Sequence, residues 1–152
     1  MKRAVALIII LTLFACGSQE KKAEKKVEKV ALEFRFAETT PAEGLQEMII
    51  DGSGERFYLH DEVLITNDDI SFALVVSLQG RSMVELTFTE AGSQKLAQLT
   101  QDNIGKRVGM LIDGKLVTAP IIRAPLLEGT AVINGDFSDE EADRIATGIM
   151  LK

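Results

Sequence analysis

Residues 109–120, GMLIDGKLVTAP, restrict the fold more than any other segment of this 152-residue chain. Apolar runs flank Asp113 and Gly114, and Asp-Gly favours a type I′ turn because both central positions need a positive φ. The segment therefore predicts a hairpin within a covered sheet, with Asp113 as a turn residue rather than a catalytic acid. Pro120 has no backbone N–H, so we expect it to lie at a sheet edge or a bulge. The predicted pairs are Ile112 with Lys115, Met110 with Val117, and Val108 with Ala119.

The rest of the pattern indicates an α+β fold, with a mostly antiparallel sheet and two helices packed on one face. Thr89 is the predicted N-cap of the first helix, and Gly105 its C-terminal cap. Ser138 and Glu141 form a predicted capping box that opens the second helix. The predicted strands cover residues 30–36, 48–50, 56–59, 70–78, 83–88, 108–112, 116–122 and 131–133, the last of them closed by Gly135.

The N-terminus has the pattern of a secretory signal over residues 1–15, with Lys2 and Arg3 before an apolar run too short to span a bilayer. The run ends in Leu-Phe-Ala-Cys, which resembles the lipobox of bacterial lipoproteins. We therefore expect Cys16, the sole cysteine, to carry the lipid that anchors the chain in a membrane. Gly17 in place of Asp favours the outer membrane, facing the periplasm, if the source is Gram-negative. An ordinary cleaved signal that contains a cysteine is the alternative.

Residues 16–31 are predicted to be a flexible, charged tether, and residues 32–152 a single domain. The tether contains five Lys and three Glu, and Lys2 and Arg3 add two positive charges before it. Because the whole chain carries a net charge of −6, the domain carries −10. An acidic domain with few aromatic side chains does not suit nucleic acid.

Active-site motifs are absent from the sequence: it has no GxSxG, HExxH, CxxC, Walker or GxGxxG pattern. His60 is the sole histidine, so a hydrolase would have to be built around it and nearby acids. Residues 51–62 have oxygen ligands at several positions of a calcium loop, but Arg56 replaces the glycine that the loop requires. We therefore predict a protein that is not an enzyme and has no cofactor, no metal and no small-molecule substrate.

Many short motifs between residues 84 and 149 occur together in one order and spacing. They are VELTF at 84–88, NIG at 103–105, VGMLIDG at 108–114, VTAP at 117–120, GTAVING at 129–135 and FSDEEA at 137–142. This block resembles the head of the first periplasmic domain of SecD, a membrane subunit that assists Sec-dependent protein export. A weaker likeness extends the resemblance over most of residues 32–151.

The resemblance implies the head fold, a location in the bacterial cell envelope, and contact with Sec translocase components or unfolded exported polypeptide. It implies no catalytic residues. We expect no proton-driven machine, because no membrane-spanning segment or base subdomain is evident after the signal. A structural or regulatory envelope lipoprotein that binds one dedicated protein is the alternative. A sheet edge is a candidate for binding a peptide strand, although Pro120 and Pro125 would protect an edge.

Overall fold

A computed structural model of the protein describes residues 27–151. The predicted signal, Cys16 and most of the predicted tether lie outside the described residues. The helices are α1 (Glu90–Asp102) and α2 (Asp139–Ile149), and a 3-10 turn covers Asn67–Asp69. The strands are β1 (Leu32–Glu38), β2 (Gln46–Ile49), β3 (Arg56–Leu59), β4 (Ile65–Thr66), β5 (Ile70–Leu78), β6 (Arg81–Phe88), β7 (Arg107–Ile112), β8 (Lys115–Thr118) and β9 (Thr130–Phe137).

The strands form two sheets, and every pairing between the strands listed above is antiparallel. The main sheet has the order β2-β3-β1-β7-β8, with β4 also paired to β1. The small sheet has the order β5-β6-β9. The predicted α+β class with antiparallel strands and two helices is confirmed. The division into two sheets is a feature that the strand pattern alone did not reveal.

The main sheet buries side chains on both of its faces. One face contributes to the large core between the two sheets and the helices, where the rings of Phe34 and Phe88 meet edge to face with centroids 6.4 Å apart. The other face is closed because the sheet curves until β2 approaches β8. This curvature encloses a second, smaller core made of Ala37, Phe57, Leu59, Leu111, Leu116 and Ala119.

Both helices begin at the residues that the sequence predicted. The Thr89 side chain accepts the N–H of Gly92, and the Ser138 side chain accepts the N–H of Glu141. Helix α2 buries Ala142, Ile145, Ala146 and Ile149 in the large core. The predicted C-terminal cap of α1 was wrong: the helix ends one residue before Asn103, which is its C-cap, and Gly105 follows with a positive φ.

The hairpin between β7 and β8 has one irregularity that the sequence did not predict. Ile112 pairs with Lys115 as expected, but Met110 pairs with Thr118 rather than Val117 because a β-bulge shifts the register. Strand β8 ends at Thr118, two residues before Pro120, which lies at the edge of the main sheet. The predicted end of β9 at Gly135 was also wrong, since the strand continues to Phe137.

Val30 is the first buried residue of the described part of the chain. Its side chain is fully buried, and its N–H donates to the carbonyl of Gly148 at 3.0 Å. A Cβ atom added to Gly148 would lie 2.4 Å from Val30 Cγ2. Helix α2 therefore needs a glycine at this position for the N-terminal segment to pack against it.

Asn67 joins three distant parts of the chain through its side-chain amide. The Oδ1 atom accepts the N–H of Leu32 at 2.8 Å, at the start of β1. The Nδ2 atom donates to the carbonyl of Val30 at 2.8 Å and to the carbonyl of Ile149 at 3.0 Å. One side chain thus fastens the first strand and the last helix to the turn that follows β4.

We predict that Asn67→Ala lowers the free energy of unfolding by about 2–3 kcal/mol, because three partly buried hydrogen bonds are lost together. Urea unfolding followed by circular dichroism measures this change. Asn134→Ala is the matched control, since Asn134 lies exposed on β9 and should cost less than about 0.5 kcal/mol. Equal losses in both variants would show that the Asn67 amide has no special role.

Candidate functional site

Asp113, the carboxylate that the sequence singles out, lies in the turn between β7 and β8. Asp113 and Gly114 have φ values of 50° and 75°, as a type I′ turn requires. The Asp113 carboxylate accepts the N–H of Ala31 at 2.9 Å and a hydrogen bond from the Arg144 guanidinium at 3.2 Å. It therefore links the turn to the start of β1 and to α2, and all of its bonds are explained by the fold.

His60 lies at the surface, away from any arrangement typical of a hydrolase. Its Nε2 atom is 3.3 Å from a carboxylate oxygen of Glu38, and both side chains are largely exposed. Its ring meets Phe36 edge to face. Among residues 27–151, no hydroxyl group hydrogen-bonds to His60. The geometry gives this histidine no nucleophile to activate.

The acidic residues of the calcium-loop pattern at residues 51–62, and the nearby Asp69, do not form a cluster in the structure. Residues 51–55 form the connection of the β2–β3 hairpin. Asp69 accepts the N–H of Thr66 and forms an ion pair with Lys95 at 3.0 Å. Within the described part of the chain, no three metal-ligating side chains lie close enough together to hold an ion.

An open apolar cleft of about 460 Å³ has the character of a binding site. Its floor is the main sheet, its walls are α1 and β9, and residues 120–126 form its outer rim. Arg123 is the one charged residue among the lining side chains, all of which lie in the described range. The apolar lining residues include Phe34, Leu96, Leu99, Val108, Met110, Ile121, Leu126 and Val132.

The rim of the cleft is held in place by hydrogen bonds rather than by a regular strand. Thr100, buried on α1, accepts the N–H of Leu126 at 2.9 Å and donates to the carbonyl of Leu96 at 2.8 Å. At the other end of the rim, Ile122 exchanges backbone bonds with Gly105 and Lys106, both at 2.8 Å. These bonds keep the cleft open beside exposed apolar side chains.

Sequence reasoning did not find this cleft, because its residues come from distant segments with no shared motif. One signal was present in residues 121–127, IIRAPLL, an apolar run with a proline that forms no strand. Ile121 and Leu126 are 37% and 40% exposed there. Apolar side chains retained on an irregular, exposed loop are typical of a binding surface.

Residues 27–151 thus form an α+β domain of two antiparallel sheets and two helices, with an open apolar cleft. No helix in residues 27–151 combines the length and hydropathy needed to cross a membrane. Comparison with protein families then matches residues 39–151 to the P1 head subdomain of SecDF. The chain belongs to this family, and the resemblance inferred from its motifs is confirmed.

Individual relatives agree with this assignment. The chain is 46% identical over 84 residues to the protein translocase subunit SecDF of Thermus thermophilus. The aligned segment covers 55% of this chain and 11% of that protein. The chain is 35% identical over 101 residues to the translocase subunit SecD of Rickettsia bellii, covering 65% and 20% respectively. The chain thus spans no more than about a fifth of the length of these relatives.

Solved structures show the same fold. A structure of the membrane component SecDF that enhances protein export superposes with a TM-score of 0.65 at 31% identity, covering 81% of this chain and 63% of that chain. A crystal structure of SecDF in a super-membrane-facing form gives the same score and identity over 19% of its length. The domain is therefore of a kind found in protein-export components.

We predict that Asp113→Asn lowers the free energy of unfolding by less than about 1 kcal/mol. Asn also adopts a positive φ, and the exposed ion pair with Arg144 adds little. Asp113→Val should cost about 2 kcal/mol or more, since a β-branched residue is strained at a positive φ. Urea unfolding of both variants tests this difference. Equal costs would mean that the carboxylate charge, and not the backbone conformation, is what the turn needs.

Proposed function

We propose that the protein is a non-enzymatic, lipid-anchored protein of the bacterial cell envelope whose head domain contacts exported polypeptide. The open apolar cleft carries this proposal, because it lies in a domain whose relatives are named as protein translocase subunits. The partners in this proposal are the membrane, through the lipid, and unfolded polypeptide or Sec translocase components.

The chemistry of the cleft suits apolar side chains of an extended polypeptide. Its volume of about 460 Å³ accommodates a few such side chains. Specific sites for small molecules usually add several convergent polar groups to an apolar lining. Here the polar groups among the lining residues are few, and the hydroxyl of Thr100 is already engaged by Leu126. Apolar burial without directional contacts favours a partner that varies in sequence.

The N-terminal segment supplies the anchor in this proposal. Cys16 follows an apolar run and a small residue, as lipoprotein processing requires, and several acyl chains together bind a membrane stably. The tether of residues 16–31 would reach on the order of 50 Å when extended. The domain would therefore search a shell of solvent next to the membrane that carries the anchor, where it would meet polypeptides that have already been exported.

We predict that Leu126→Asp weakens binding of a fluorescently labelled, permanently unfolded polypeptide by about tenfold, since a charge replaces an apolar lining residue. Leu127→Asp is the matched control: Leu127 is 69% exposed and does not line the cleft. Fluorescence anisotropy with the full chain in detergent measures both affinities.

Two results of this experiment contradict the proposal, and a separate affinity purification selects its alternative. Absence of binding by the unmodified chain would exclude a role in contacting unfolded polypeptide. Equal weakening in both variants would place the contact outside the cleft. Affinity purification that returns one stoichiometric protein, in place of many exported chains, would identify a regulatory lipoprotein with a dedicated partner.

We predict that Cys16→Ser leaves the domain folded but moves the protein from the membrane fraction to the soluble fraction, because acylation requires the thiol. Membrane fractionation and mass spectrometry of the N-terminus measure the two effects. Ser18→Ala, two residues further on, is the control and should remain membrane-bound. Detection of an unacylated N-terminus on the unmodified protein would overturn the anchor assignment.

A further inference from the structure

Strand β5 is an apolar edge strand without a single charged residue. Its sequence is ISFALVVSL, and it forms one edge of the small sheet. Phe72 and Leu78 are 54% and 62% exposed, and Val75 is 37% exposed. Edge strands of this length normally carry charges, prolines or bulges that prevent pairing with other chains.

The pairing of β5 with β6 determines which backbone groups of β5 remain unpaired. The two strands are joined by Gln79 and Gly80, and Leu78 pairs with Arg81 across this turn. In a two-residue hairpin that pair is hydrogen-bonded, and alternate residues then point toward the partner strand. The backbone groups of Ala73, Val75 and Ser77 therefore face outward. Among residues 27–151, no strand or loop hydrogen-bonds to them.

Two other edge strands, β9 and β8, have protective features that β5 lacks. Strand β9 is interrupted by a bulge near Gly135 and carries Asp136. Strand β8 is short and is followed by Pro120. The bulge in β5 lies only at its start, between Ile70 and Phe72, and leaves the rest of the strand regular. Among these edges, β5 is the one built to accept another strand.

We propose that β5 pairs with β5 of a second copy of this chain, in an antiparallel arrangement with the two-fold axis at Val75. The three outward-facing residues are spaced symmetrically about Val75, so Ala73 of one copy meets Ser77 of the other, and Val75 meets Val75. The two small sheets join into one continuous six-stranded sheet. The interface is isologous, as in most dimers of identical chains.

Complementarity of the side chains favours a second copy over an unrelated strand. On the outer face, this register places Phe72 opposite Leu78 of the other copy, and Leu74 opposite Val76. These are apolar pairs, and they cover the two most exposed apolar side chains of β5. Since β5 has no charge, the two-fold axis brings no like charges together within the strand pair. An unrelated chain would have to supply the same uncharged pattern by chance.

A charge-exchange experiment on the full chain in detergent tests this dimer. Because Val75 faces itself, Val75→Lys and Val75→Glu should each raise the dimer dissociation constant on the order of tenfold, measured by sedimentation equilibrium. An equimolar mixture of the two variants should return to within roughly threefold of the unmodified protein. Ile49→Lys is the matched control, with 47% exposure on β2 and no place in the cleft, and should leave dimerisation unchanged.

Disulfide crosslinking at exposed positions gives a second test of the dimer, which does not depend on whether the Val75 variants fold. In a Cys16→Ser background, Phe72→Cys mixed with Leu78→Cys should give a crosslinked dimer on mild oxidation, since non-hydrogen-bonded pairs lie close enough for a disulfide. Phe72→Cys alone should crosslink poorly, because its two copies lie about 20 Å apart in this register.

Several outcomes would overturn the proposal. They are a monomeric unmodified chain at every concentration, dimers that respond equally to Val75→Lys and Ile49→Lys, and crosslinking without preference for the mixed pair. A monomer in which Leu78→Cys crosslinks to an added extended apolar peptide would show that the edge accepts exported polypeptide and not a second copy. Disruption of the dimer with unchanged binding of unfolded polypeptide would separate this interface from the cleft.

Discussion

The amide of Asn67 is the point on which the arrangement of the domain depends. Its partners, Val30, Leu32 and Ile149, are separated from it by up to 82 positions along the chain. Together they fix the beginning of β1 against the end of α2. Strand β1 lies between β3 and β7 at the centre of the main sheet. Because Phe34 of β1 also lines the cleft, the Asn67 side chain helps to position the floor of the cleft.

The fold leaves two apolar regions open, the cleft above the main sheet and the edge strand β5 of the small sheet. Because the main sheet curves until its edge strands approach each other, its second face is closed by the domain itself. The cleft stays open because its rim is fastened at both ends by hydrogen bonds, and β5 stays open because its outer edge has no neighbour among the described strands. One region exposes apolar side chains, and the other exposes backbone hydrogen-bonding groups.

Local sequence signals predicted the elements of this fold better than their assembly. Caps such as Thr89 and Ser138 act within one turn of a helix, and the alternation of β6 lies within a single strand. Both signals are local, which made these elements predictable from sequence. The bulge beside Met110 and the extension of β9 beyond Gly135 depend on the partner strand, which the local pattern does not contain. The cleft depends on five separated segments and on a hydrogen bond from Leu126 to Thr100, so no short motif could mark it.

The entry of the chain at Val30 determines how the domain would bear load. Tension that arrives from the N-terminal side acts along β1, which pairs with β7 over six consecutive residue pairs and with β3 and β4 on its other side. A strand pulled along its own axis must break those pairs together and not one after another. A tether attached at this end would therefore pull against a strand that is paired on both sides. The rim of the cleft lies far along the sequence, at residues 120–126, and is not in the direct line of that force.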